Sequence, residues 1–177
     1  NYTIIFPTHW TKQNLTLQSA HSHCTGQKMF NNIQPETYQA QLDAKQTDIS
    51  NMFAQFEPPV MAVYHSEPLH YRMRAEFSVW HEGDDFFFIM HNPDTKEKIR
   101  IDQYAVASTL INQAMMALRQ LIIGNELLKR RLFQVDFLST LSGELLISLI
   151  YHKPLDDAWQ EQAMILQTQL QILIPQR

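Results

Sequence analysis

The sequence predicts an α+β fold, an antiparallel sheet of about five strands with helices packed against it. Three observations lead there. Tyr71, Met73, Ala75, Phe77 and Val79 alternate with Arg72, Arg74, Glu76 and Ser78, the period of a strand that buries one face and wets the other. The polar turn His81-Glu82-Gly83-Asp84-Asp85 then leads into the apolar run Phe86-Phe87-Phe88-Ile89-Met90, a hairpin signal. Downstream, apolar residues recur at three- and four-residue steps in two stretches separated by a second pair of alternating runs.

Taken in order, Pro35 opens a helix on which Tyr38, Leu42, Ile49, Phe53 and Phe56 fall near one face, and Pro58-Pro59 stops it. Val60 to Tyr64 reads as a short strand, and Ser66-Glu67-Pro68 as the turn into the hairpin. After the hairpin, Asn92-Pro93-Asp94-Thr95 turns the chain into a third strand with Ile99 and Ile101 inward. Asp102 is the expected N-cap of a helix carrying Val106, Leu110, Ala114, Leu118 and Leu121, which Gly124-Asn125 ends. A helical turn from Glu126 to Arg131 leads into the strand Phe133 to Phe137. Ser142-Gly143 then turns the chain into Leu145 to Tyr151. From about Asp156 a last helix sets Trp159, Ala163, Leu166, Leu170 and Leu173 in one stripe up to Pro175.

Composition narrows the classes. At 177 residues, 45% hydrophobic and 18% charged, the chain is globular and long enough for one domain with a core. The formal net charge of -4 means that any nucleic-acid role rests on a local basic patch. The single cysteine, Cys24, forms no internal disulfide, and no apolar run reaches the length of a membrane span. No signal peptide is recognisable, so the expected compartment is the cytoplasm.

Several groups have the residue types of a functional site. Lys129-Arg130-Arg131 stands directly before Leu132-Phe133, placing cations that attract phosphate beside a ring that can stack on an unpaired base. The plainer alternative is a strand aromatic in the core next to a solvated helix end. His152 and Lys153 leave a strand together, suited to stacking and to a phosphate, or simply closing the strand. Arg72 and Arg74 lie on the wet face, free to meet phosphates or to pair with Glu76 or Asp136. The carboxylates and histidine of residues 81–85 are turn residues first. His21, His23 and Cys24 lack the second cluster a zinc site needs, so no metal is expected.

One resemblance covers roughly residues 35–170 in order. His70-Tyr71-Arg72-Met73-Arg74-Ala75-Glu76-Phe77, Trp80 to Asp85, Lys98 to Asp102, Leu132 to Asp136 and Tyr151 to Asp157 together resemble the N-terminal part of the S-adenosylmethionine-dependent RNA (uracil-5-)-methyltransferase family, in its tRNA branch. The resemblance implies an RNA-binding domain that engages the tRNA T-arm, with Phe133 and His152 handling the opened loop. Arg72, Arg74, Lys129, Arg130, Arg131 and Lys153 would lie toward the backbone. It implies methylation of carbon 5 of the T-loop uridine, with tmRNA a further candidate substrate. The cofactor loop, the nucleophilic cysteine and the base belong to the family's C-terminal half. With glycines only at Gly26, Gly83, Gly124 and Gly143, the chain offers no glycine-rich cofactor loop, and it is expected to be inert alone, with no catalytic or cofactor-binding residue of its own.

By the same comparison residues 1–28 are read as an extension without structure ahead of a natural start at Met29. Residues 29–59 form an N-terminal helix, and residues 60–177 an RNA-binding α+β domain cut before its catalytic partner, against which the Trp159 stripe would pack. The rivals are a non-catalytic RNA- or protein-binding module and a ribosomal RNA enzyme of the same family.

Overall fold

The structure is a computed structural model and describes residues 2–7 and 33–174. Strands β1 (Tyr2–Pro7), β2 (Arg74–Glu82), β3 (Asp85–His91), β4 (Lys98–Arg100), β5 (Leu132–Ser139) and β6 (Leu145–Tyr151) form one sheet in the order β1-β6-β5-β2-β3-β4. Every pairing between neighbours is antiparallel. Helices α1 (Tyr38–Phe53), α2 (Thr109–Ile122), α3 (Glu126–Lys129) and α4 (Asp157–Leu173) complete the α+β architecture.

Alternation decides which face is dry. Ala75, Phe77 and Val79 of β2 are buried while Arg74, Glu76 and Trp80 are exposed. Phe77, Phe88 and Phe137, from three adjacent strands, meet with ring centroids 5.8–6.1 Å apart. Over them lie Ile111, Met115 and Leu118 of α2 and Trp159, Leu166 and Leu170 of α4. The other face keeps Arg74, Glu76, Trp80 and Leu138 in solvent.

The first hairpin forms as expected. Glu82 pairs with Asp85 across the two-residue loop Gly83-Asp84, and Gly83 takes φ +57, a left-handed conformation that costs glycine little.

Five expectations are corrected. The strand starts at Arg74 rather than at Tyr71, because residues 70–72 bind the loop before α2: His70 and Arg72 donate backbone N–H bonds to Ala105 and Val106, and Tyr71 is exposed. The helix expected from Asp102 begins at Thr109. Asn112 holds residues 104–108 out of it, accepting from the Tyr104 N–H at 2.7 Å and donating to the carbonyls of Tyr104, Ala107 and Ser108. The N-cap is Ser108, whose Oγ accepts from the Ile111 N–H.

Val60 to Tyr64 is not a strand: among the described residues no strand pairs with it, and Val60 is 99% exposed. The Trp159 stripe is core of this domain rather than a surface awaiting a partner, since Trp159 is fully buried and edge-on to Tyr151 at 5.1 Å. Finally, residues 2–7 of the segment expected to lack structure form the edge strand β1, registered on β6 from Tyr2↔Tyr151 to Pro7↔Leu146. His21, His23, Cys24 and Met29 lie outside the described residues.

Helix α1 buries no residue: Ile49 and Phe53 are exposed on it, and Phe56, expected on the same helix, lies beyond its end in a short 3-10 turn, also exposed.

Candidate nucleic-acid interface

The start of β5 and the end of β6 meet where the chain leaves α3 and enters the sheet. Asn125 caps α3, accepting from the Leu128 N–H; the helix lasts one turn before Arg130 turns extended, and its last carbonyls have no helical donor. Three consecutive residues leaving β6 supply donors to this connection. The Tyr151 hydroxyl donates to Leu128 O at 2.6 Å, the His152 N–H to Arg131 O at 3.2 Å, and Lys153 Nζ to Leu127 O at 3.0 Å. From β2, His81 Nε2 donates to Leu132 O at 2.8 Å.

Two backbone irregularities then set the ring geometry. Arg131 sits at φ +64, left-handed for a non-glycine residue, and the β5–β6 register slips between Leu132 and Gln134. Phe133 is therefore the extra residue of a β-bulge, facing no partner on β6, and its ring is turned out of the alternation that buries Leu132 and Val135. It is 43% exposed and lies against the exposed His152, with ring centroids 3.9 Å apart and planes 20° from parallel.

The sequence-predicted residues thus separate into three groups. Phe133 and His152 are stacked on each other, with exposed Arg130 and Arg131 and half-buried Lys153 around them. Burial pulls the Lys153 ammonium below the ordinary lysine range; Asp156 draws it back up, and nearby Arg130 pushes it down. Lys129 is not at this rim. Its side chain is 7% exposed and points inward, with Nζ donating to Asp84 O at 2.9 Å and paired with Glu126.

Arg72 and Arg74 are remote from it. Arg74 pairs with Leu138, five residues along β5 from Phe133, about 17 Å at strand spacing. Arg74 forms an ion pair with Glu76, and Arg72 Nη1 donates to the Tyr104 hydroxyl at 3.4 Å.

Burial pushes the Tyr151 hydroxyl above its ordinary range, so it stays protonated and donates to Leu128. At the hairpin turn, His81 is held by Leu132. Asp85 is held by Arg119, whose Nη2 reaches both carboxylate oxygens at 2.7 and 2.6 Å. Among the described residues no three His, Cys, Asp or Glu side chains gather as a metal site, and no helix is long and apolar enough to cross a membrane.

Sequence reasoning missed His81 as the group that pins the bulge, and it missed Trp80. Trp80 follows Arg74, Glu76 and Ser78 on the wet face, so its outward position was readable from the same alternation.

An exposed, nearly parallel ring pair flanked by cations is the chemistry that grips unpaired bases and their phosphates. The family model described as tRNA (Uracil-5-)-methyltransferase matches residues 37–175. The chain belongs to this family.

A tRNA/tmRNA (uracil-C(5))-methyltransferase of Colwellia psychrerythraea is 55% identical over 147 residues, which is 83% of this chain and 40% of that protein. Relatives of the same description from Chromohalobacter salexigens and Shewanella oneidensis are 51% and 54% identical, over 80% and 78% of this chain and 39% and 38% of their own lengths. The chain thus spans about two fifths of the curated relatives it matches. Within the uracil-5-methyltransferase family, Phe133 and His152 are the two residues that the resemblance assigned to the opened loop, and the fold stacks one on the other.

Proposed function

We propose that this chain is the RNA-engaging part of a tRNA (uracil-5-)-methyltransferase that transfers a methyl group from S-adenosylmethionine to carbon 5 of the T-loop uridine, with tmRNA a second substrate, in the cytoplasm. The stacked Phe133–His152 pair at a cationic rim, in a chain of this family, carries the reading.

A uridine inside a folded loop must be unstacked before carbon 5 can be reached, at a cost of a few kcal/mol that protein contacts offset. Phe133 and His152 supply the stacking surface. Arg130, Arg131 and Lys153 hold the flanking phosphates and so fix the register of the loop. Lys129 has no part in contacting RNA in this scheme, because its ammonium is already held by Asp84 and Glu126.

The reaction itself belongs to the partner domain that would follow this one. Gly83 and Gly143 lie in hairpin turns and Gly124 follows a helix, so among the described residues no glycine opens a strand-to-helix loop able to hold S-adenosylmethionine. On this reading turnover needs that domain.

The test is Phe133→Ala and His152→Ala in the full-length enzyme, with T-arm affinity and turnover both measured. Loss of one stacked base costs about 1–3 kcal/mol, a weakening of about five- to 150-fold. Unchanged affinity and unchanged turnover in both variants would overturn the assignment.

A further inference from the structure

The wet face of the sheet carries a second set of rings and cations that the T-arm reading does not use. Trp80 on β2 pairs with Phe87 on β3, and His81, next to Trp80, donates to the carbonyl of Leu132, next to Phe133. Phe87, Trp80 and Phe133 therefore belong to the consecutive strands β3, β2 and β5, and His152 follows the next strand, β6, at one end of the sheet.

Each of the first two rings carries a cation from β4. Lys98 Nζ stands 3.0 Å from the Trp80 ring centroid, and Arg100 Cζ stands 3.8 Å from that of Phe87. Trp80 is 45% exposed. Arg100 is shared with Asp102, but among the described residues no carboxylate is within ion-pair reach of Lys98. The turn carboxylates Glu82 and Asp84 lie beyond Trp80, on the side away from β4's Lys98, which pairs with His91.

Rings with cations over them are poor material for an apolar protein interface, since covering Lys98 would strand its charge without a partner. They match single-stranded or loop RNA: the Lys98 ammonium that now covers the Trp80 face moves to a phosphate, and the ring face it leaves takes a base. We propose that Trp80 and Lys98, flanked by Phe87 and Arg100, form a second RNA contact patch that continues the track beyond the Phe133–His152 pair. This rests on the reading that the chain engages RNA.

The test uses the 177-residue chain with Trp10→Phe, so that Trp80 and the buried Trp159 are its remaining tryptophans. A T-arm hairpin is titrated while tryptophan emission and the anisotropy of a labelled RNA are both followed. Binding should quench the Trp80 emission. Lys98→Ala should lower the steepness of the salt dependence by about one unit, and Trp80→Ala should weaken binding about five- to 150-fold.

Binding seen by anisotropy with Trp80 emission unmoved and Lys98→Ala indistinguishable from the parent would overturn this patch and leave the Phe133–His152 reading intact. Absence of binding even to the full-length enzyme would overturn both. Burial of Trp80 in the full-length enzyme without RNA, seen as failure of acrylamide to quench it, would show that protein covers this face and would also refute the patch.

Discussion

Lys129→Met separates a structural cation from an RNA-contacting one. Methionine keeps the buried stem and removes only the ammonium, which donates to Asp84 O at 2.9 Å and pairs with Glu126. A hydrogen bond from a charged donor contributes about 1.5–3 kcal/mol. Asp84 is exposed, so water takes over its carbonyl in the variant, and Glu126 is 72% exposed, so its ion pair contributes little. The lower end applies, about 1.5 kcal/mol, which for a domain of this size lowers Tm by about 3–6 °C.

The assay is calorimetric unfolding alongside T-arm hairpin affinity measured across salt concentrations. Arg130→Ala, by contrast, should leave Tm nearly unchanged and flatten the salt dependence by about one phosphate, a slope change of about 0.7–0.9. A Lys129→Met protein with unaltered Tm and a flattened salt slope would refute the reasoning, because it would place that ammonium on the RNA.

Four further outcomes are expected. Arg131→Gly relieves a left-handed residue at φ +64 and should raise stability by about 1 kcal/mol in the unfolding scan while weakening RNA binding, whereas Arg131→Val should lower stability. Tyr151→Phe leaves the Leu128 carbonyl without its 2.6 Å donor and should lower stability by about 1–3 kcal/mol.

The same residue sets a pH limit. Burial raises the Tyr151 hydroxyl above its ordinary value of 10.0, so the folded chain holds that proton more tightly than the unfolded one. The stability it contributes is intact below about pH 10 and is lost as pH rises further, and denaturant midpoints between pH 9 and pH 11 should fall more steeply for the parent than for Tyr151→Phe. Phe77→Ala, at the centre of the ring cluster, should cost about 3–5 kcal/mol by denaturant titration.

How far the sequence could be read depended on whether a feature is periodic. β2, β3, β5 and β6 and the helix after Asp156 follow from alternation and from apolar spacing, since burial of one face constrains every second residue or every third and fourth. The start of α2 was not readable, because the competitor is one side chain, Asn112, bonding three carbonyls ahead of it. Lys129 reads as a cation in any composition argument. Only the placement of Asp84 O beside α3 turns it inward, and that contact is 45 residues distant in sequence. β1 was missed for a related reason: an edge strand needs only a partner with free backbone groups, and β6 provided one.

The position of the Phe133 ring follows from a frame that is over-determined. Four carbonyls between Leu127 and Leu132 each receive a donor from outside the segment, three from Tyr151, His152 and Lys153 and one from His81. A left-handed arginine and a bulge together cost on the order of 1–3 kcal/mol, and so irregular a backbone persists only where its surroundings hold it. Such a frame holds Phe133 and His152 in place in the free chain, so on the proposed function less conformational freedom is lost on binding. On this argument His81→Ala, which touches neither ring face, should weaken T-arm binding by freeing the bulge, and His81→Gln, which restores an amide donor, should recover part of the loss. Equal losses in the two variants would mean that the donor to Leu132 O plays no part in setting the ring.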